Sequence, residues 1–196
     1  MVRTVFFSFH YQRDILRVQI IKNHHITKGN YTAAGFFDGS LEEKAQKEGD
    51  EAVKRLIDKG LNGSTVLCVL IGNETFKRRW VDYEILKAAE LGMGIFGIRI
   101  HQLAAGKAGQ DAAGRIPFNY LGYSESGQEL QPMIKYDTGW KNARHLVKIS
   151  RSAASYLPAA GGLNLGNIFR VYDWVDNDGY TNFGTWVEAA AKQAQL

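Results

Sequence analysis

The sequence predicts an α/β fold in which a central parallel sheet is flanked by helices, and three observations carry that prediction. Apolar runs of strand length recur four times in the first hundred or so residues, segments of helical period separate them, and the third run, "STVLCVLIG", is apolar nearly throughout. A strand covered on both faces of a parallel sheet has that character.

The elements follow in order. "TVFFSF" is rich in aromatic and β-branched residues and predicts a first strand. In "RDILRVQIIKN", Ile15, Leu16, Val18 and Ile21 recur at roughly helical spacing. "YTAAGFFDGS" predicts a short second strand ending near Phe37 and a turn at Asp38-Gly39. Ser40 then caps a helix through "LEEKAQKEGDEAVKRLIDKGL", which Gly60 and Gly63 break. After the third strand, "KRRWVDYEILKAAELG" predicts a helix closed by Gly92, and "GIFGIRIH" a fourth strand. Parallel strands joined by helices take right-handed crossovers, so a flavodoxin-like, doubly wound arrangement is the natural small solution, with ligands at the carboxyl ends of the strands.

Beyond His101 the periodicity weakens. "QLAAGKAGQDAAGRIPFNYLGYSESGQELQP" is Gly-rich and polar and predicts a long surface insertion, followed by a candidate strand "MIKYD" and an amphipathic end, "YTNFGTWVEAAAKQAQL". The expectation is one domain over residues 1–196, with a core over about 1–101 and an insertion and C-terminal elaboration over about 102–196.

Composition excludes several classes. With 45% hydrophobic and 22% charged residues, the 196-residue chain is of ordinary globular type. "MVRTVFFSFHYQRD" has too short an apolar run for a signal peptide, and no later stretch approaches a membrane span, so a cytoplasmic protein is expected. Cys68 lies inside an apolar run and can form neither an internal disulfide nor a Cys-rich zinc site. The net charge of +4 is interspersed rather than gathered into a patch, which suits a phosphate-bearing small molecule at least as well as nucleic acid.

Gly92-Met93-Gly94-Ile95-Phe96-Gly97 spells G-x-G-x-x-G, but between a helix end and the next strand, where the dinucleotide fingerprint does not lie. It is assigned to helix termination and close packing. A phosphoryl-accepting receiver domain would need an aspartate after the third strand, where Gly72 and Asn73 stand. The first loop, "SFHYQRD", lacks the glycines that would wrap a flavin phosphate. The histidines are scattered, and no metal site is expected.

Glu84 stands out by position. One reading pairs it with Lys87 on a solvated helix face; the other notes that Trp80 and Glu84, one helical turn apart, project from one face near the start of the helix that follows a strand's carboxyl end.

"VFFSFHYQRD", "AAGFFDGS", "VLIGNETFKRRWVDYEI" and "RVYDWVDNDGYTNFGTWV", in that order and over essentially the whole chain, resemble the TIR-like proteins of bacterial Thoeris anti-phage systems, within the TIR domain superfamily. In NAD⁺-consuming TIR domains a glutamate on the helix after the third strand is catalytic, commonly with tryptophan four positions earlier, and Glu84 and Trp80 match that spacing. The chain departs from the commoner pattern at Arg78, where a small hydroxyl residue is usual, and at Val81, where cysteine is frequent.

The resemblance implies an NAD⁺ glycohydrolase or ADP-ribosyl cyclase that releases nicotinamide and makes a cyclic ADP-ribose-type second messenger. It implies Glu84 as the catalytic residue, with substrate contacts expected from Ser8, Phe9, His10, Tyr11, Asp38, Trp80 and Tyr83. Phe9 and Trp80 could equally be core residues, and Asp38 could serve only its turn. The basic triplet Lys77-Arg78-Arg79 is either a pyrophosphate attractor or a solvated turn. No cofactor beyond NAD⁺ as substrate is expected. The implied partners are a phage-derived trigger and an effector reached through the nucleotide product, with homo-oligomer formation left open and neither membrane nor nucleic acid expected. A non-catalytic TIR scaffold is the alternative, since fold alone does not decide activity.

Overall fold

The computed structural model describes residues 3–28, 31–34, 47–106, 109–143, 146, 148–158 and 163–195. Phe37, Asp38 and Ser40 lie outside them.

Five parallel strands form the central sheet: β1 (Arg3–Ser8), β2 (Tyr31–Ala34), β3 (Val66–Ile71), β4 (Gly94–Arg99) and β10 (Val171–Asp173), in the order β10-β4-β3-β1-β2. Its helices are α1 (Tyr11–Lys28), α2 (Asp50–Leu61), α3 (Arg79–Glu90) and α4 (Gly179–Gln193). Taking β10 as the fifth strand gives the doubly wound order 2-1-3-4-5, whose strand order reverses between β1 and β3. The four expected strands are present; the fifth comes from "RVYD", far along the chain, where three residues carry too little pattern to read as a strand. The expected helix over residues 41–61 is interrupted at Gly49 (φ +102°), after which α2 begins.

Alternation along β3 divides the core between the two sheet faces. Leu67, Val69 and Ile71 pack with Val53, Ile57 and Leu61 of α2 and Val81, Ile85 and Ala89 of α3. Val66, Cys68 and Leu70 pack with Val18 and Ile21 of α1 and Phe183, Val187 and Ala191 of α4. The amphipathic C-terminal segment is therefore the helix that closes the second face.

The segment after His101 corrects the expectation of a surface insertion. Strands β5 (Leu121–Ser126), β6 (Glu129–Tyr136), β7 (Gly139–Asn142), β8 (Ile149–Ser150) and β9 (Leu163–Asn164) form an antiparallel sheet, and "MIKYD" lies mostly within β6. Phe118, Leu121, Tyr123 and Leu130 join the same apolar cluster as α2 and α3. β5 is buried over Leu121 to Tyr123 and progressively exposed over Ser124 to Ser126, so its composition reads as a polar loop.

The G-x-G-x-x-G stretch serves packing. Gly92 ends α3 with φ +68°, and a Cβ on Gly94 would stand 2.6 Å from the Ala190 carbonyl of α4.

Candidate active site

Glu84 lies at the carboxyl-terminal edge of the sheet, beside the β1/β3 reversal. The sheet order brings the end of β1 next to the end of β3, and the short turn from Gly72 to Arg78 returns α3 across that edge. Val81 and Ile85 bury the inner face of α3, and this rotation carries Trp80 and Glu84 toward β1. Ser8, the last residue of β1 and 1% exposed, donates its hydroxyl hydrogen to Glu84 Oε2 at 2.5 Å. Glu84 itself is 8% exposed. It is therefore a buried carboxylate with a fixed partner, not the solvated glutamate of a Lys87 pair; Lys87 pairs with Glu90 at 3.0 Å.

Glu84 opens onto a cleft of about 600 Å³, its mouth included. Phe9 and Tyr11 form part of the wall from beyond β1, Trp80 and Arg78 contribute from the start of α3, and Val53, Leu56 and Ile57 of α2 form another part. The mixture of apolar walls with a few polar groups is that of a small-molecule site. Phe9 and Tyr11 stand 6.1 Å apart between ring centroids, and the Arg79 guanidinium lies over the Trp80 ring at 4.6 Å.

The expected site residues divide. Glu84, Trp80, Phe9 and Tyr11 share the cleft, with Ser8 behind Glu84. His10 does not line it: it is buried, its Nδ1 meets no hydrogen-bond partner among the described residues, and burial and then the nearby Arg78 charge lower its pKa, which favours a neutral ring. Tyr83 does not line it either. Its ring meets Trp80 edge to face at 6.1 Å between centroids, but it donates its hydroxyl to Asp58 Oδ1 at 2.8 Å and borders a separate depression with Leu86, Lys87 and Tyr123. Successive helical residues diverge by about 100°, so proximity in sequence to Glu84 does not place Tyr83 in the same cleft. Asp38 lies outside the described residues.

Two contributions were not legible in the sequence. Val53, Leu56 and Ile57, at i, i+3 and i+4 on α2, signalled a buried stripe but not a cleft wall. The bond from Ser8 to Glu84 joins residues 76 apart, a contact that no local pattern encodes.

Beside the cleft, an ionic cluster fastens the chain after β4 to α1. Arg13 forms a two-pronged pair with Asp111 and also reaches Glu74, while Arg17 donates to the carbonyls of Leu103 and Gly109. Buried Asp14 pairs with Arg17 at 3.5 Å, and desolvation raises its pKa to about 6. Among the described residues no group of three or more His, Cys, Asp or Glu side chains could hold a metal ion, and no helix is long and apolar enough to cross a membrane.

A doubly wound parallel sheet carrying a tryptophan and a glutamate one turn apart at its carboxyl edge defines a TIR-type domain. The family model described as "Thoeris protein ThsB, TIR-like domain" matches residues 6–105. The chain is also 45% identical over 192 residues to a Bacillus cereus (strain MSX-D12) protein that carries the provisional name cyclic ADP-D-ribose synthase ThsB1, covering 95% of this chain and 100% of that protein. The chain belongs to the Thoeris ThsB family of TIR-like proteins.

Proposed function

We propose that this chain cleaves the nicotinamide–ribose bond of NAD⁺ and closes the ADP-ribosyl unit into a cyclic signalling nucleotide, which activates an effector in anti-phage defence. The observation that carries this reading is Glu84, buried at the edge of a cleft walled by Phe9, Tyr11 and Trp80 and tied to Ser8. The provisional name of the Bacillus cereus relative supports the same product class.

Glu84 holds the ribose hydroxyls and stabilises positive charge developing at C1′, an interaction that strengthens toward the oxocarbenium-like transition state. The C1′–N bond breaks with its electron pair going to nicotinamide, which departs neutral and requires no general acid. A nucleophilic atom of the same ADP-ribosyl unit then bonds to C1′, releasing any proton to solvent; water in its place gives ADP-ribose. Phe9, Tyr11 and Trp80 supply flat apolar surface for the rings and exclude water, which favours closure over hydrolysis. Ser8 positions Glu84, and no cofactor beyond the substrate takes part. The work is assigned to the cytoplasm, with a phage component as trigger.

The test compares wild type and Glu84→Gln, with and without infected-cell extract, by chromatography of nicotinamide, ADP-ribose and cyclic product. The amide oxygen of glutamine still accepts from Ser8, so the variant keeps its circular dichroism spectrum while turnover is lost. Robust turnover by Glu84→Gln defeats the assignment. Silence of the wild type under both conditions, together with tight self-association, supports a scaffold.

A further inference from the structure

The dinucleotide proposed above carries two negative charges on its pyrophosphate, one ribose away from the atom where Glu84 acts. Three cations precede or begin α3, and two of them are neutralised. Lys77 pairs with Glu74 at 3.0 Å, and Arg79 forms a two-pronged pair with Asp50 at 2.6 and 2.9 Å. Arg78 has no ion-pair or hydrogen-bond partner for its side chain among the described residues, although it is only partly exposed.

Arg78 also occupies a junction. It lines the Glu84 cleft together with Trp80 and Val53, and the same three residues line an adjoining open groove of about 900 Å³, completed by Asp50, Lys77 and Arg79. The cleft and the groove thus share a wall, and an unneutralised guanidinium stands on it. No side chain caps the start of α3, so its first amide groups add positive potential on the same side. Buried His10, its Nδ1 without a hydrogen-bond partner among the described residues, lies close enough to Arg78 for the two to interact electrostatically.

We propose that Arg78 holds the pyrophosphate of the dinucleotide at this junction, with the nicotinamide riboside half in the Glu84 cleft and the adenosine half in the adjoining groove. The guanidinium fork matches phosphate oxygens in a two-pronged geometry that a lysine does not reproduce. This subsite rests on reading the cleft as an NAD⁺ site. It also gives ring closure a pivot: with the pyrophosphate fixed and the adenosine half in an open groove, a nucleophilic atom of that half can swing back toward C1′ after nicotinamide leaves.

Calorimetric titration with ADP-ribose tests the subsite without turnover, because that ligand lacks the bond to be broken. Arg78→Gln weakens ADP-ribose binding by about 10- to 100-fold, the range for losing charge-assisted hydrogen bonds, and leaves nicotinamide riboside binding unchanged. Arg78→Lys, which keeps the charge, gives a smaller loss and guards against a folding defect in the glutamine variant. Lys87→Gln removes the same charge from the far end of α3 and leaves ADP-ribose affinity unchanged. Equal affinity in Arg78→Gln, an equal loss in Lys87→Gln, or no ADP-ribose binding by the wild type overturns the subsite. Binding through Arg78 with no nicotinamide release would defeat the proposed activity and leave the subsite standing; Glu84-dependent release with affinity indifferent to Arg78 would do the reverse.

Discussion

Ser8 donates its hydroxyl to Glu84 Oε2 across 2.5 Å, joining the last residue of β1 to the second turn of α3. Both side chains are buried, so the bond holds the carboxylate in one orientation at the foot of the cleft. Ser8→Ala removes this donor from a buried carboxylate, which costs about 1–3 kcal/mol. A carboxylate held less firmly loses transition-state stabilisation more than substrate affinity. The expected outcome is a lower melting temperature and a fall in kcat for nicotinamide release of about 10- to 100-fold, corresponding to about 1.4–2.7 kcal/mol, with little change in KM. An unchanged kcat would remove Ser8 from the positioning role.

Trp80 and Tyr83 stand three residues apart on α3 but face different surroundings. Trp80→Ala strips a wall from the Glu84 cleft and is expected to raise KM for NAD⁺ by about tenfold or more, roughly the effect of losing one ring-stacking contact of 1.4 kcal/mol. Tyr83→Phe breaks only the hydrogen bond to Asp58 and costs about 1 kcal/mol in urea unfolding, with nicotinamide release unaffected. Activity loss in Tyr83→Phe matching that of Trp80→Ala would return Tyr83 to the substrate site.

Asp82 carries a titration. Burial raises its pKa from 3.8 to about 7. Between those values the folded chain binds more protons than the unfolded chain, so stability falls as pH rises through that window. The contribution is fully present below about pH 4 and lost above about pH 7. Asp82→Asn removes the titration. Urea unfolding at about pH 5 and about pH 8.5 should therefore show the wild type losing stability relative to the variant at the higher pH; a constant difference would contradict the burial argument.

Gly94 is packed against the backbone of α4, where a Cβ would lie only 2.6 Å from the Ala190 carbonyl. Gly94→Ala forces α4 off the sheet or bends β4 and is expected to cost about 1–3 kcal/mol or more. Gly63→Ala, where a Cβ meets nothing within 4 Å, stays within about 0.5 kcal/mol of wild type. Thermal melts of the two variants separate close packing from a general intolerance of glycine replacement.

Much of the fold was legible because its signals are local. "TVFFSF" and "STVLCVLIG" carry strand composition, and the apolar spacing of α3 carries helix and orientation together. The strands of the antiparallel sheet were less legible: β5 buries only its first half, and β8 and β9 are two residues long, too short for a period to declare itself. In the site, the Trp80–Glu84 spacing was visible because one helical turn is a local relation. The place of Tyr83 was less legible, because adjacent residues of a helix diverge in space and its hydroxyl turns to Asp58.

The sequence by itself determined the parallel α/β class, the helix that carries Glu84, and the glycine run's role in packing, since each follows from hydrophobic period and local backbone preference. Only the tertiary structure decided that Ser8 meets Glu84, that α2 helps wall the cleft, that Arg78, of the three cations at the start of α3, is the one with no ion-pair partner among the described residues, and that "RVYD" completes the sheet. The physical reason is range: hydrophobic period acts over a few residues, whereas these relations join segments tens of residues apart, and only the crossing of the chain over the sheet brings them into contact.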